Sequence, residues 1–345
     1  MKYTIGNYIN RRPDNLLYSP SKLLVDNSTG IGIEVELEGV VYSGSSDVER
    51  ELSNILDMWN IHKDGSLRGG TEFVFSNAFK GANIIKALDD LEAFITGYDN
   101  LYPHRPITIS DRCSVHAHMD VRDFNDIDLR NFLMWYILFE RILFDTVSVE
   151  RIKNNNCRPV TDSDIIPVIG DLNHYLEVYS GDSERDRLFR LCDTVGRSCD
   201  KYSALNLLPI NNYGSVEFRH HRGTKSKKDI LDWINIILSL KKWSMENKIS
   251  DFISKDIIRS IGIIELVFSE TILMDRLDSS YFPGLLILGY YDVYQLLNHN
   301  ELYNNIKSCR KEIIDFCTAS NRSSTLLWRY KKANNLLVKK SLSLL

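Results

Sequence analysis

The sequence predicts an α+β domain followed by a helical C-terminal region. Short segments in which apolar and polar residues alternate, as they do in strands, are separated by longer segments with apolar residues at helical spacing. The two kinds of segment do not alternate strictly, which argues against a parallel sheet built from βαβ units. From about residue 250 onward the pattern is mostly helical.

The first strand candidate is IGIEVELE, residues 31–38, in which apolar residues at odd positions alternate with glutamates. A strand would place Glu34, Glu36 and Glu38 on one face. Same-face neighbours lie roughly 6 to 7 Å apart, so the three carboxylates repel one another unless water or a cation screens them. The strand therefore indicates either a solvated face or a cation site.

Less regular segments flank this strand. Residues 1–29 are predicted to be an irregular lead-in, because they contain Pro13 and Pro20 and lack a clear period. The stretch SGSSD, residues 43–47, predicts a loop that ends in a helix N-cap. The apolar residues of ERELSNILDMW, residues 49–59, are spaced for a short helix.

The central part of the chain predicts two strands and two helices. TEFVF (71–75) and CSVHAHMDV (113–121) alternate as strands do, and both carry charged or imidazole side chains on one face. Residues 80–97 have apolar side chains spaced for one buried helical stripe. Residues 127–149 are apolar nearly all round, which predicts a buried helix.

The following part begins with a polar, irregular segment at residues 153–180, which predicts a long loop or lid. A helix is expected at 184–197. SALNLL (203–208) and SVEFRHH (215–221) are strand candidates joined by the turn-like PINNYG. Residues 227–243 have the apolar stripe of a helix that packs on the core.

These elements divide the chain into three predicted parts. The parts are the lead-in (1–29), a central α+β domain (30–245) and a helical C-terminal region (246–345). The last thirty residues, 316–345, contain six Lys or Arg and no acid. A basic amphipathic helix there could dock on an acidic partner or membrane surface, or simply pack on its own protein.

The composition narrows the class of protein. The net charge of −4 gives no general attraction to nucleic acid or membrane, and the apolar content of 43% is ordinary for a globular protein. The six cysteines form no C-x-x-C motif, which favours reduced thiols in a cytoplasmic protein, in the host cytoplasm if the protein is viral. No segment predicts a transmembrane helix or a secretion signal.

Charged and imidazole groups occur on one face of each of four strand candidates. His116 and His118 share a face of CSVHAHMDV, and neutral imidazole binds divalent metals. In SVEFRHH, alternation places Glu217, Arg219 and His221 on one face. A carboxylate two residues from a guanidinium suits a metal and phosphate site. If the strands neighbour one another, one cavity is lined by Glu34, Glu36, Glu72, His116, His118, Glu217 and Arg219.

The segments GIEVELE, DGSLRGGTEFV, CSVHAHMD and LNLLPINNYGSVEFRHHRGT resemble the amidoligase family. This family is a branch of the carboxylate–amine ligases that share a catalytic core with glutamine synthetase and glutamate–cysteine ligase. The resemblance covers about residues 30–225 and rests on the order E-x-E, Glu, H-x-H and E-x-R. It implies a curved, mostly antiparallel sheet flanked by helices. One departure is Cys113-Ser114, where the family strand usually opens with Cys-Gly.

The resemblance also implies roles for the predicted cavity. A carboxylate substrate would take the γ-phosphoryl group of ATP and form an acyl phosphate, which an amine would attack to give an amide. Arg219 and His118 would contact phosphate, with two or three Mg²⁺, or Mn²⁺, as cofactors. The cation ligands implied are Glu34, Glu36, Glu72, His116 and Glu217. Glutamine synthetases form rings, which makes a homo-oligomer possible.

Three further residues have two readings each. Asp64, in KDGSL, could contact substrate or deprotonate the amine, although a D-G turn explains it equally well. Arg222 and Lys225, which follow the E-x-R strand, could reach nucleotide phosphates or lie in a solvated loop.

Two competing functions remain open from the sequence. His118 and Asp120 resemble the H-x-D start of a non-haem iron site, for which His221 could supply the distal histidine and His116 lies alongside. That reading leaves the glutamates and Arg219 without a role. The other alternative is an inactive ligase-fold protein that serves as a binding or assembly module through its C-terminal helix.

Overall fold

The structure, a computed structural model, describes residues 2–11, 18–40, 54–147, 151, 154–159, 181–248 and 267. The predicted loop at 43–47, most of the predicted loop or lid at 153–180, and the predicted C-terminal helices lie outside these residues, as does the basic segment 316–345. The predicted domain boundaries at 29 and 245 stay predictions.

Six strands form one antiparallel sheet, which confirms the α+β class. The spatial order is β2-β3-β1-β4-β6-β5, and every pairing between neighbours is antiparallel. The strands are β1 (Ile31–Glu38), β2 (Trp59–Asp64), β3 (Gly70–Phe75), β4 (Ser114–Asp120), β5 (Leu205–Asn206) and β6 (Ser215–Arg222). The strands that sequence alternation predicted at β1, β3, β4 and β6 are confirmed.

The described residues also form helices, several of which pack on the apolar face of the sheet. They are α1 (Ile5–Tyr8), α2 (Ala82–Leu101), α3 (Asp126–Val147), α4 (Glu184–Ser198), α5 (Pro209–Tyr213) and α6 (Lys227–Glu246). The expected helices at 80–97, 127–149, 184–197 and 227–243 are thus confirmed to within a few residues. Helix α3 packs against α6 and β6, and most of its side chains are buried, as its apolar composition predicts. The odd-numbered apolar residues of β1 lie in the same core.

The predicted helix at 49–59 needs correction at its C-terminal end, because residue 54 is the only helical residue in its described part. Residues 55–58 form a turn, and Trp59 begins β2 instead of ending a helix. Trp59 is buried against Phe75 with ring centroids 4.5 Å apart, and its indole Nε1 donates to Ala87 O over 2.8 Å. These contacts are made by residues far along the chain, so the local apolar spacing did not reveal the strand.

Two other local predictions need correction. SALNLL forms only the two-residue strand β5, and PINNYG forms the short helix α5 rather than a simple turn. Pro209 begins α5, where its missing N–H costs nothing. Gly214 ends it in the left-handed region at φ 68°, which permits the immediate entry into β6.

The N-terminal lead-in is partly ordered against the domain. Ile5 is fully buried, and the backbone N–H groups of Ile5 and Gly6 donate to Phe124 O and Arg122 O over 2.8 and 2.9 Å. The predicted irregular segment therefore contains a helix, α1, that packs on the sequence just after β4.

Candidate active site

The polar face of the sheet brings the predicted site residues together. In β1, Glu34 lies opposite His116 of β4, and Glu36 lies opposite Glu72 of β3. Glu217 of β6 lies opposite His118. Because directly opposed residues in an antiparallel pair project from the same face, the separate strand motifs meet on one surface.

Cluster 1 consists of Glu34, His116 and Glu217, whose ligand atoms lie within 4.8 Å of one another. His116 Nδ1 lies 3.0 Å from Glu34 Oε2 and 3.4 Å from Glu217 Oε1. His116 and Glu217 are buried, and Glu34 is only partly exposed. The cluster thus presents two carboxylates and one imidazole in a largely enclosed position.

Cluster 2 consists of Glu36, Asp64 and Glu72, again with ligand atoms within 4.8 Å. Glu36 is buried, whereas Asp64 and Glu72 are partly exposed. The sequence indicated Asp64 as a substrate contact or base, and the structure places it among the carboxylates. It also accepts a hydrogen bond from Ser66 N over 2.7 Å, as the D-G turn reading expected.

Both clusters fit divalent cations by the chemistry of their donors. Carboxylate oxygens suit Mg²⁺ and Mn²⁺, and the imidazole of cluster 1 suits the softer Mn²⁺ better than Mg²⁺. Without a cation, five carboxylates from the two clusters would repel one another across this face. Of the three glutamates of β1, Glu34 contributes to cluster 1 and Glu36 to cluster 2.

Arg219 lies beside cluster 1. Its Nη1 donates to Glu217 Oε1 over 2.5 Å, and its Nε donates to Asn156 O over 3.1 Å. Asn156 belongs to the segment that was predicted to be a loop or lid. The backbone carbonyl of Arg219 accepts a bond from Arg151 over 2.8 Å. Arg219 is thereby held at the edge of cluster 1, with one guanidinium nitrogen hydrogen-bonded to a carboxylate.

The predicted position of His221 is wrong. The register of β6 shifts between the pairs Ala117–Phe218 and Val115–His221, so β6 contains a bulge after Arg219. His221 consequently lies opposite the buried Val115, on the apolar face, and its ring packs 6.1 Å from that of Trp233. The one extra residue breaks the alternation on which the prediction relied.

The arrangement does not assemble the predicted iron site. His221 lies on the face of the sheet opposite to His116 and His118. Asp120 is bound to Arg122 by two side-chain contacts of 3.0 and 2.7 Å. Among the described residues, the groups able to hold a metal do not include Asp120.

Two residues that sequence reasoning did not place in the site contact the clusters. Asn206 Nδ2 donates to Glu217 Oε2 over 2.6 Å. Ser114 donates to Glu36 Oε2 from both its backbone N and its Oγ, over 2.8 and 2.5 Å. Ser114 alternates with His116 along β4, so the period of the strand was a signal for it. For Asn206 the strand pairing with Glu217 was needed.

Arg222 and Lys225 lie near the end of β6. Arg222 is exposed and lies opposite Ser114, whereas Lys225 Nζ donates to Asp99 Oδ2 and Ile107 O over 2.9 and 3.1 Å. Lys225 thus has structural partners, and nucleotide contacts by either residue stay predictions.

The pKa values of Glu34, in cluster 1, and of the adjacent His118 are both shifted. Burial opposes ionisation of Glu34, but hydrogen bonds from His116 and His118 outweigh it and hold the pKa of Glu34 well below its usual range. Burial likewise opposes protonation of His118, yet its bond to Glu34 and the charges of Glu217 and Glu34 raise the pKa of His118 above its usual value. The contact behind both shifts joins His118 Nε2 and Glu34 Oε1, which lie 3.1 Å apart.

Glu72 shows the opposite effect. Burial, and then the negative charges of Glu34, Glu36, Asp64 and Glu217, raise the pKa of Glu72 from 4.5 to about 7. A carboxyl group with this pKa takes up a proton near neutral pH when no cation is bound. The carboxylates of both clusters therefore act on Glu72.

Two cavities open on this polar face. The larger, of 980 Å³, is lined by Glu34 and His118 together with Arg11, Asn60, Phe75 and Tyr213 among others. The smaller, of 530 Å³, is lined by cluster 2, His116 and three arginines, Arg112, Arg151 and Arg219. Cluster 1 lies where they approach, since Glu34 lines one cavity and its strand partner His116 lines the other.

Two broader features accompany the site. The four described cysteines, Cys113, Cys157, Cys192 and Cys199, are free thiols. Within the part of the chain that the structure describes, no helix is both long and apolar enough to cross a membrane.

The central part of the chain is similar to a known protein family. Residues 84–241 match the model of a family described as "Putative amidoligase enzyme". The matched range contains His116, His118, Glu217 and Arg219, and β1 to β3 precede it. No curated protein matches the chain. The match shows that this segment is similar to amidoligases, a class of amide-forming ligases.

Proposed function

We propose that the protein is an ATP- and Mg²⁺-dependent carboxylate–amine ligase that forms an amide through an acyl phosphate. The observation that carries the proposal is the placement of clusters 1 and 2 on one sheet face, with Arg219 on Glu217. Phosphoryl transfer needs positioned cations and a cationic group near the transferred phosphoryl, with little covalent chemistry from the protein. The antiparallel sheet also suits the glutamine synthetase-like core that the sequence resembles.

In this proposal the chain's own residues divide the work. Glu34, Glu217 and His116 hold one cation position, and Glu36, Glu72 and Asp64 hold another. Divalent cations bound there would neutralise the phosphates of ATP and the charge that develops during transfer.

Arg219 and His118 would act on the transferring phosphoryl group. Arg219 is fixed by Glu217 Oε1 and Asn156 O, so it meets the reacting group without reorganising. His118 Nε2 is held 3.1 Å from Glu34 Oε1, and its raised pKa favours the protonated imidazole, which would attract phosphate oxygens. Both side chains contact carboxylates of cluster 1, so they lie at the same part of the site.

The two cavities suit different reactants. The smaller cavity has three arginines and cluster 2, which suits the polyphosphate of ATP. The larger cavity combines amide, hydroxyl and apolar groups, and we assign it to the carboxylate and amine substrates. In this assignment the substrate carboxylate would approach past Glu34 and His118, so that the reactants meet at cluster 1.

Calorimetric titration with ATP or a non-hydrolysable analogue tests the proposal, once with Mg²⁺ and once with EDTA. We expect binding only with Mg²⁺, and its loss in Glu34→Gln and Glu217→Gln. Glu92→Gln, an exposed position on α2, is the matched control and should bind as the wild type does. Binding that is equal in Mg²⁺ and EDTA, or absent in both, contradicts the proposal. If binding requires Mg²⁺, the next step is to screen carboxylates and amines for release of ADP.

A further inference from the structure

Ser114 lies between the two clusters and contacts a member of each. Its side-chain Oγ lies 2.5 Å from Glu36 Oε2 in cluster 2 and 2.8 Å from His116 Nε2 in cluster 1. Its backbone N donates to the same Glu36 oxygen over 2.8 Å. Ser114 is only 4% exposed, so water does not compete freely for these bonds. The hydroxyl is thus a direct link between the clusters.

The nitrogen atoms of His116 have different surroundings. Nδ1 lies 3.0 Å from Glu34 Oε2 and 3.4 Å from Glu217 Oε1, so a cation held by these carboxylates would meet His116 at Nδ1. A ligating imidazole is neutral and carries its single proton on the other nitrogen. The proton is then on Nε2, which faces Ser114 Oγ.

This placement fixes the direction of the hydrogen bonds. His116 Nε2 donates to Ser114 Oγ, and the hydroxyl keeps its own proton to donate to Glu36 Oε2. Glu36 is then held as a carboxylate by two donors on one oxygen. Its other oxygen, Oε1, accepts no hydrogen bond from the described residues and can face Asp64 and Glu72, the other members of cluster 2.

We propose that Ser114 is a positioning residue that couples the two cation positions, so that filling cluster 1 favours filling cluster 2. The proposal rests on the cation sites of the proposed function. It adds that the two ions do not bind independently, although two cations on one face of the sheet repel each other. Ser114 opposes this repulsion because the His116 tautomer that cluster 1 requires is also the one that holds Glu36 in place.

Titration of the full-length protein with Mn²⁺ tests the coupling, because the spectrum of free Mn²⁺ counts bound ions without any turnover. In the wild type we expect two ions to bind with similar apparent affinity. In Ser114→Ala the second ion should bind at least about tenfold more weakly, since loss of such a supporting group typically costs 10–100-fold in metal affinity. Ser114→Thr keeps the hydroxyl and should restore binding to within about threefold.

Controls separate coupling from a general loss of structure. Ser239→Ala removes another buried serine hydroxyl, in α6, and should leave both affinities unchanged. Thermal unfolding in EDTA reports whether each variant folds, and Ser114→Cys, which keeps the size but donates weakly, replaces Ser114→Ala if the latter does not fold. Unchanged Mn²⁺ binding in Ser114→Ala, or failure of Ser114→Thr to restore it, overturns the coupling alone. Absence of Mn²⁺ binding by the wild type overturns the proposed function as well.

Discussion

Glu72 gives the sharpest test of the electrostatics at the site. Glu72→Gln removes a carboxyl group whose ionisation is opposed by burial and by the neighbouring carboxylates. A carboxyl group whose folded-state pKa is raised destabilises the fold above that pKa and has no effect below its unfolded value. The wild type in EDTA should therefore lose stability as the pH rises from about 4.5 to about 7, and Glu72→Gln should lose less.

The size of the effect follows from the two pKa values of Glu72. The difference between 4.5 and about 7 corresponds to ~3.4 kcal/mol at 1.36 kcal/mol per pH unit. Glu72 is only half-buried, so water and salt screen part of the repulsion. We expect Glu72→Gln to raise the free energy of unfolding at pH 8 by ~1–2 kcal/mol, and to change it little at pH 5.

Urea denaturation in EDTA at pH 5 and pH 8 measures this difference, with Glu92→Gln as the matched control. With saturating Mg²⁺ at pH 8, the wild type should instead have the higher free energy of unfolding. It then gains stability from an ion that Glu72→Gln holds less tightly. Equal stabilisation at both pH values would show that the gain has another origin. Destabilisation of Glu72→Gln in EDTA at pH 8 would refute the reasoning outright.

Three other substitutions probe separate parts of the site. Arg219→Ala should lower kcat by roughly 100-fold with little change in nucleotide Kd, because the contact of Arg219 with the phosphoryl group strengthens in the transition state. A parallel loss of kcat in steady-state kinetics and of nucleotide affinity in calorimetry would contradict that role. Asn206→Ala removes a donor to Glu217 and should weaken Mn²⁺ binding about tenfold in a titration, and unchanged affinity would show that Asn206 does not support the ligand. Gly214→Ala should lower the free energy of unfolding, measured by urea denaturation, by ~1–3 kcal/mol, since φ is 68° and a Cβ would overlap Arg122. Wild-type stability of this variant would mean that the backbone at residue 214 relaxes.

The sheet could be predicted because each strand carries its own evidence. In β1, β3 and β4 one face is buried and the other is polar, so the two-residue period shows in the sequence. The period also assigned Glu34, Glu72 and His116 to the polar face, where the structure places them. What the period could not give is the strand order, which decides that Glu36 joins Asp64 while Glu34 joins His116.

Strand β2 shows where local evidence fails. Its polar face is largely exposed, and its first residue, Trp59, follows a stretch with helical apolar spacing. The strand is fixed instead by pairing with β3 and by the indole contacts with Phe75 and Ala87. Asp64 reaches cluster 2 because of that pairing, so the sequence indicated a substrate contact, a base or a turn residue, but not a partner of Glu36.

The bulge in β6 has the same cause and a direct effect on the site. His220 is fully buried among aromatic rings, with Phe144 and Trp233 at 4.6 and 5.5 Å, and burial lowers the pKa of His220 to about 3. A neutral imidazole can occupy this apolar position, so β6 accommodates the extra residue and turns His221 to the same side. Arg219, immediately before the bulge, stays on the polar face beside Glu217. The place at which alternation stops is thus set by how His220 fits the helices behind the sheet, which no pattern within β6 can encode.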